Sequence, residues 1–330
     1  MPTSDNRGIR VTGLWRHPVK SMGGEALDTL AIDRRGVRGD RLWAVHDVER
    51  NTTASARRLP ALLRFRARYP IAPEPNSGPG QVPPVIITDP SGVDHHSDDP
   101  DIHDVLSAAL DRDVRLVSLP DDPHTHRLPW RERIGTLTPR ALTRDLGIAP
   151  DERLPKISDM NARALATLTR NATPPGSFVD LCPVHLLTES SVATIAETLG
   201  DDHVDPRRFR PNILIGGADD GLPESAWPAA TIEFGTVRLH VVMRTVRCVV
   251  PSREHVDLPL DKRLTRAVAT TADRYLGVYA DVVVPGQVTR GDVVTVRLPE
   301  PPGPLRRVAA NGRTVAFDTA NRFAELFRRD

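Results

Sequence analysis

The chain has 330 residues, so two closely packed subdomains are expected, since a single core stops growing beyond about 250–300 residues. Its 44 basic and 43 acidic residues nearly cancel, leaving a formal charge of +1 and no reason to expect a nucleic-acid partner. No apolar run approaches bilayer length, Met1 to Arg10 lacks the order of a secretory signal, and two cysteines are too few for a disulfide scaffold. A soluble, cytoplasmic protein with no membrane partner is expected, with pairing between Cys182 and Cys248 left open.

Val11 to Lys20 reads as an apolar strand ending in His17-Pro18-Val19-Lys20-Ser21, with Gly23-Gly24 as the turn. A second strand covers Ala26 to Ile32, leading to Arg35-Gly36, and after Asp40-Arg41 a third runs from Leu42 to Val45. Short strands and turns through the first hundred residues point to an all-β subdomain. Residues 73–84, rich in proline and glycine, form a surface loop. Asp99-Pro100 opens a helix whose apolar face is Ile102, Val105, Leu106, Ala109 and Leu110 and which ends near Asp111. Residues 120–160 are proline-rich and weakly periodic, an irregular connection between subdomains. His95-His96 and the His124-Thr125-His126 pair sit in polar stretches without ligand spacing and are read as solvated loops rather than metal sites.

Phe178 to Thr188 is an apolar strand containing Cys182-Pro183. Thr188 caps a helix showing Val192, Ile195 and Leu199, stopped by Gly200. Arg208-Phe209-Arg210-Pro211-Asn212 precedes a short buried strand, Ile213 to Ile215. Ile232 to Val242 alternates apolar and polar around Gly235-Thr236, a hairpin whose second arm delivers Cys248. Leu260, Leu264, Val268 and Tyr275 mark a helix. Val282 to Val284 and Gly291 to Val296 close the fold with strands, and the tail holds an Asn311-Gly312 turn and a helix showing Phe323 and Phe327.

Cys248 is the first candidate for chemistry. Thiolate is the useful form of cysteine, and the neighbouring Arg247 and Arg244 are expected to lower its pKa. Thiolate softness favours copper(I), zinc, iron–sulfur clusters or another soft centre, but nothing supplies further ligands at zinc spacing. A metal at Cys248 must therefore arrive with its own ligands, as part of a cofactor. The competing reading is a small buried apolar residue at a strand end.

Anion binding is the second. Lys20, Ser21, Arg41, Arg208, Arg210 and Asn212 adjoin apolar strands rather than charge runs, and arginine forks are a usual means of holding phosphate. Of the 44 basic residues only Lys20, Lys156 and Lys262 are lysine and 41 are arginine, which makes Lys20 unusual and any single arginine weak. Surface ion pairing is the competing reading for each.

Taken together, these pieces resemble the MOSC family, the C-terminal domain type of molybdenum cofactor sulfurases, and more closely the mitochondrial amidoxime-reducing components and their bacterial relatives. The resemblance covers about residues 9–300. In the N-terminal part it rests on Leu14 to Ser21, Gly36 and Asp40-Arg41-Leu42-Trp43. Further on it rests on Asp180, Pro183, Leu186 to Ser191, Arg208 to Ile213, Glu224 with Trp227, Arg247-Cys248, Gly277-Val278-Tyr279, Pro285-Gly286 and Gly291-Asp292.

The resemblance implies a mainly β, α+β fold: an N-terminal barrel-like subdomain over residues 9–120, a connection at 121–160, a MOSC β-barrel at 161–300 and an extension at 301–330. It implies a molybdenum cofactor, Mo-molybdopterin, between the two barrels, with Cys248 as the catalytic metal ligand. Lys20, Ser21, Arg41, Arg210 and Asn212 would hold pterin and phosphate, with Leu181, Cys182, Arg247 and Tyr279 adding contacts; pyridoxal phosphate is not expected. The implied activity is reduction of N-hydroxylated or related small-molecule substrates by oxygen-atom transfer, and a persulfide-based sulfur carrier on Cys248 is the alternative. After Cys248 the reductases carry an Asp-Pro-Asp-Thr-Gly-like stretch, whereas this chain reads Pro251 to Asp257 differently, which leaves substrate scope open. No cysteine-rich ferredoxin module is present, so a separate electron-donor protein of ferredoxin, flavoprotein or cytochrome type is implied.

Overall fold

The computed structural model describes residues 8–122, 128–129, 138–149, 152 and 170–299. The His124-Thr125-His126 pair, much of the 121–160 connection and the 301–330 extension, with its expected turn and helix, lie outside them.

The first strand, β1 (Arg10–Arg16), stops short of the expected Lys20, because Pro18 has no amide to continue a ladder. The strand expected from Ala26 to Ile32 is split in two. β2 (Glu25–Ala26) pairs with β1, while β3 (Thr29–Asp33) pairs with β4 (Gly36–Val37) and with a strand that arrives much later. β5 (Trp43–Asp47) runs between β6 (Thr52–Thr53) and β10 (Val114–Ser118), and β7 (Arg66–Arg68), β8 (Ile86–Thr88) and β9 (Asp94–His96) form another small sheet.

These strands enclose a core of Leu62, Phe65, Ile87, Ile102, Leu106 and Leu116. Residues 73–84 carry no helix or strand, as expected of a loop. Helix α1 (Ile102–Leu110) begins later than Asp99-Pro100 suggested, because the Asp99 carboxylate accepts the His96 amide at 2.7 Å instead of capping the helix. Within the expected irregular connection the structure places a helix, α2 (Pro139–Leu146). Thr138 Oγ1 accepts the Ala141 amide at 3.2 Å, proline sits in the first turn, and Gly147 ends it at φ 62°.

The second half is organised by an eight-stranded sheet. The strand expected from Phe178 starts only after Pro183, as β11 (Val184–Thr188). Thr188 Oγ1 then accepts the Ser191 amide at 3.2 Å to begin α3 (Glu189–Leu199), which Gly200 ends at φ 70°. α3 is the crossover that lets β11 lie parallel to β12 (Ile213–Gly216). The expected hairpin forms as β13 (Thr231–Phe234) and β14 (Val237–Val246); Val237, Leu239, Val241 and Met243 face inward while Arg238 and His240 face solvent. α4 (Arg263–Ala272) leaves out Leu260, and Tyr275 opens β15 (Tyr275–Val284) rather than closing a helix. β16 (Gly286–Thr289) and β17 (Val294–Arg297) finish the described chain, and β16 is the late partner of β3.

The sheet order is β17, β13, β14, β15, β11, β12, β1, β2. Its core holds Leu14, Leu186, Ile213, Ile232, Phe234 and Val278. The chain is therefore mainly β with a few helices, and its halves exchange strands. β1 belongs to the large sheet, and β16 returns to the N-terminal half.

Candidate functional site

The turn after β1 carries Lys20 and Ser21 into the seam between the halves. The Lys20 amide donates to the Trp43 carbonyl at 2.8 Å, and its Nζ, in a 4% exposed side chain, donates to Asp180 Oδ1 at 2.5 Å and the Phe178 carbonyl at 3.1 Å. Burial pushes the Lys20 ammonium below its ordinary pKa, with Asp180 opposing the shift. Ser21 Oγ accepts the Ala56 amide at 3.0 Å. The Arg41 amide donates to the His17 carbonyl at 2.7 Å and its guanidinium pairs with Asp40, whose other oxygen accepts the His17 amide at 2.6 Å.

Arg210 comes from the opposite half, just after a 3-10 turn (Pro206–Phe209). Its Nη1 donates to the Met22 carbonyl at 2.5 Å, whereas Nη2 is buried with no hydrogen-bond partner among the described residues. Desolvation, with Arg41 nearby, pushes its pKa down to about 10. Ser21, Arg41 and Arg210 all hold left-handed backbone, at φ 68°, 52° and 54°. Few side-chain-bearing residues adopt that region, and such strain gathers where surroundings over-determine a position. Three of the residues nominated by sequence share it.

A buried brace backs this seam. Arg247 donates from Nε to the Leu276 carbonyl at 2.7 Å, from Nη1 to the Phe209 carbonyl at 2.9 Å and from Nη2 to His185 Nε2 at 2.7 Å. A guanidinium cannot accept, so His185 is neutral with its proton on Nδ1, donated to the Arg210 carbonyl at 3.2 Å. Burial and the Arg247 charge hold His185 well below the usual histidine pKa. β15 passes close to this pair at Gly277, φ 79°, where a Cβ would stand 2.6 Å from His185 Nε2.

Asn212 is fully buried. Its Oδ1 accepts the His185 amide at 3.0 Å and its Nδ2 donates to the Trp15 carbonyl at 3.3 Å, so it joins β11 to β1. Glu224 gathers the Thr188 and Ser191 hydroxyls at 2.7 and 2.6 Å and the Gly277 amide at 3.1 Å. Tyr279 lies beside His185, ring centroids 5.4 Å apart, its phenol pushed up by burial and Asp180.

Cys248 follows the brace, half-buried, and no disulfide joins it to Cys182. The expected depression of its pKa does not occur. Burial pushes the thiol up, and the largest charge opposing that rise is Arg57, ahead of the adjacent Arg247. Arg247 points away into its brace, and Arg244 stacks on the Tyr275 ring at 4.3 Å. Arg208 is engaged elsewhere too, donating to the Pro251, Arg253 and Pro259 carbonyls at 3.3, 3.3 and 2.7 Å, which ties down the segment after Cys248.

Asp180, with 62% of its side chain open to solvent, stands among Lys20, Arg57 and Arg41. Desolvation works against its charge, but these cations hold its carboxyl well below the usual range. Leu181 and Cys182, half-buried, follow it directly. Arg57, His185 and Asp40 went unnominated by sequence reasoning.

Residues 8–78 match the MOSC N-terminal beta barrel domain and residues 174–295 the MOSC domain, together more than half of the chain. The chain belongs to the MOSC domain family. The matches meet at this seam: Lys20, Arg41 and Arg57 come from the first, and Asp180, Arg210 and Cys248 from the second. Among solved structures, the YUAD protein from Bacillus subtilis is 14% identical over 88% of this chain and 97% of its own, with a TM-score of 0.41. YiiM from Geobacillus stearothermophilus is 17% identical over 35% of this chain and 54% of its own, with a TM-score of 0.29. No curated protein matches the chain significantly.

MOSC domains are associated with molybdenum-cofactor binding, and the residues present fit such a group. The buried Arg210 Nη2 without a partner and the cations around Asp180 suit an anion. A half-buried thiol outside any disulfide suits a soft metal. Among the described residues, no group of three or more His, Cys, Asp or Glu could hold a metal unaided.

Proposed function

We propose that this protein binds a molybdenum cofactor in the seam between its MOSC halves and uses it to reduce N-hydroxylated or related N-oxygenated small molecules. The observation that carries the reading is the convergence of Lys20, Arg41 and Arg210 on the side of the seam that also holds the thiol of Cys248.

When bound, the cofactor supplies oxygen-atom transfer at molybdenum. Lys20, Ser21, Arg41 and Arg210 would bind and orient its anionic portion, Arg210 through a donor left open among the described residues. Cys248 provides the thiolate. A thiol binds a metal as thiolate, so metal binding at Cys248 is coupled to proton release. Arg247, His185 and Asn212 fix the wall from which Arg210 and Cys248 project, and Tyr279 lies beside His185. A separate electron-donor protein supplies reducing equivalents. A persulfide carrier on Cys248 is the second reading, and it requires neither molybdenum nor pterin.

The test is molybdenum and released-pterin content of the chain expressed in a host that makes the cofactor, followed by reduction of a model amidoxime by the chemically reduced protein. Stoichiometric metal and pterin, with activity lost in Cys248→Ala, are expected. Absence of both groups from the wild-type chain overturns the reading, and activity retained by Cys248→Ala overturns the role of the thiol.

A further inference from the structure

Arg57 stands apart from the other cations of the seam. Its neighbours are tightly placed: the Ala56 amide donates to Ser21 Oγ at 3.0 Å, and Arg58 Nε lies 3.7 Å from Asp145 Oδ2. Asp145 in turn reaches the segment after Cys248, its carbonyl accepting the Val249 amide at 3.2 Å. The short stretch Ala56-Arg57-Arg58 is thus pinned on one side to the Lys20–Ser21 turn and on the other to the loop that carries the thiol.

Between those pins, the half-buried Arg57 lies within electrostatic range of Cys248, Asp180, Asp145 and Tyr279. Yet it makes no hydrogen bond or ion pair among the described residues. The contrast with its neighbours is chemical. Arg247 and Arg208 give their donors to backbone carbonyls, Arg41 pairs with Asp40 and Lys20 with Asp180. Arg57 is a planar fork of five donors, partly removed from water, with none of them committed among the described residues. Arg210 Nη2, buried and without a partner among the described residues, is a further open donor and belongs to the opposite half.

We propose that Arg57 is an anion-binding residue beside Cys248, gripping an oxyanion brought into the seam, either a phosphate-type group of the cofactor or a negatively charged group on the substrate. The inference deepens the function proposed above by adding a residue and a charge class to the same site.

The test begins on the full chain from a host that cannot make the cofactor. Alkylation of Cys248 by anionic iodoacetate and by neutral iodoacetamide is followed on its own peptide by mass spectrometry. Both reagents react through the same thiolate, so their rate ratio reports the local potential and not the thiol pKa. The wild-type ratio should exceed that of a free thiol and fall with added salt. Arg57→Gln should lower it about threefold to tenfold, as expected for one partly screened charge, and Arg57→Lys should restore it. An unchanged ratio in Arg57→Gln, with the thermal unfolding midpoint preserved, overturns the proposal.

The source of the oxyanion is then separated in a cofactor-competent host. Loss of released pterin from Arg57→Gln assigns it to the cofactor; full pterin content with a raised KM only for negatively charged substrates assigns it to the substrate. Should the wild-type chain hold no cofactor, the functional reading falls while the alkylation ratio still decides on Arg57.

Discussion

Replacing Arg247 by leucine separates two roles that its sequence position allows: activation of the adjacent thiol, or support of the wall behind it. The guanidinium serves three buried acceptors, the Leu276 and Phe209 carbonyls and His185 Nε2, at 2.7, 2.9 and 2.7 Å. Leaving a buried acceptor unpaired costs about 1–3 kcal/mol each, or roughly 3–9 kcal/mol for three. Part is returned because leucine, unlike a guanidinium pushed down to about 10 by desolvation, need not hold a charge out of water. A net loss of about 3–5 kcal/mol is expected, a large share of a typical folding stability of about 5–15 kcal/mol. Urea unfolding followed by tryptophan fluorescence should show a lower midpoint at unchanged slope. Arg247→Leu combined with His185→Phe should cost about 1–2 kcal/mol less than the two changes summed, because each removes the other's partner. A midpoint within about 0.5 kcal/mol of wild type, together with slower iodoacetamide labelling of Cys248, would show that the charge acts on the thiol and that the brace is energetically idle.

Gly277→Ala adds a Cβ 2.6 Å from His185 Nε2 and 2.7 Å from the Leu186 carbonyl, on backbone at φ 79°. A loss of about 2–4 kcal/mol in the same unfolding assay is expected from strain and crowding together. His255 is held down to about 4, chiefly by burial. With its folded pKa below the unfolded value, it costs nothing at pH 7, and stability is lost as pH falls from 6.5 towards 4 while the unfolded chain gains the proton. For this residue the loss between pH 7 and pH 5 is about 2 kcal/mol, and His255→Gln should reduce the acid-side drop in the urea midpoint by that amount. His17 and His185 are pushed down in the same direction, so acid sensitivity should persist in that variant. Arg208→Met frees the Pro251, Arg253 and Pro259 carbonyls, and hydrogen exchange should quicken across residues 250–261 while β13 and β14 stay protected.

Local rules carried the sequence reading furthest where they act over a few residues. Thr188 and Gly200 bound a helix as cap and stop, and Gly235 turns a hairpin of clear period-two alternation. They failed where a tertiary partner decided the outcome. Asp99 gave its carboxylate to His96 instead of the helix, and Ala26 to Ile32 broke because its two ends join different sheets.

The same division runs through the site. Residue types in order pointed to Lys20, Arg41, Arg210 and Cys248, which the fold brings to one seam. The sequence carries no information on where a guanidinium points, so Arg247 beside the thiol looked like its activator while Arg57, some 190 positions away, escaped notice among 41 arginines. Left-handed backbone at Ser21, Arg41 and Arg210 was equally invisible, since none is a glycine or asparagine.

The placing of β1 has a consequence for how the chain is made. Its Thr12 hydroxyl reaches the Leu214 carbonyl across 202 positions, and the strand lies between β12 and β2. At about 5–20 residues per second, a ribosome needs on the order of ten to forty seconds to deliver β12 after β1 has emerged. Through that interval an apolar strand that includes Val11 and Leu14 has one edge bare, open to pairing with a second nascent copy. Yield in cells should therefore depend on what shelters β1 during synthesis more than on the stability of the finished protein.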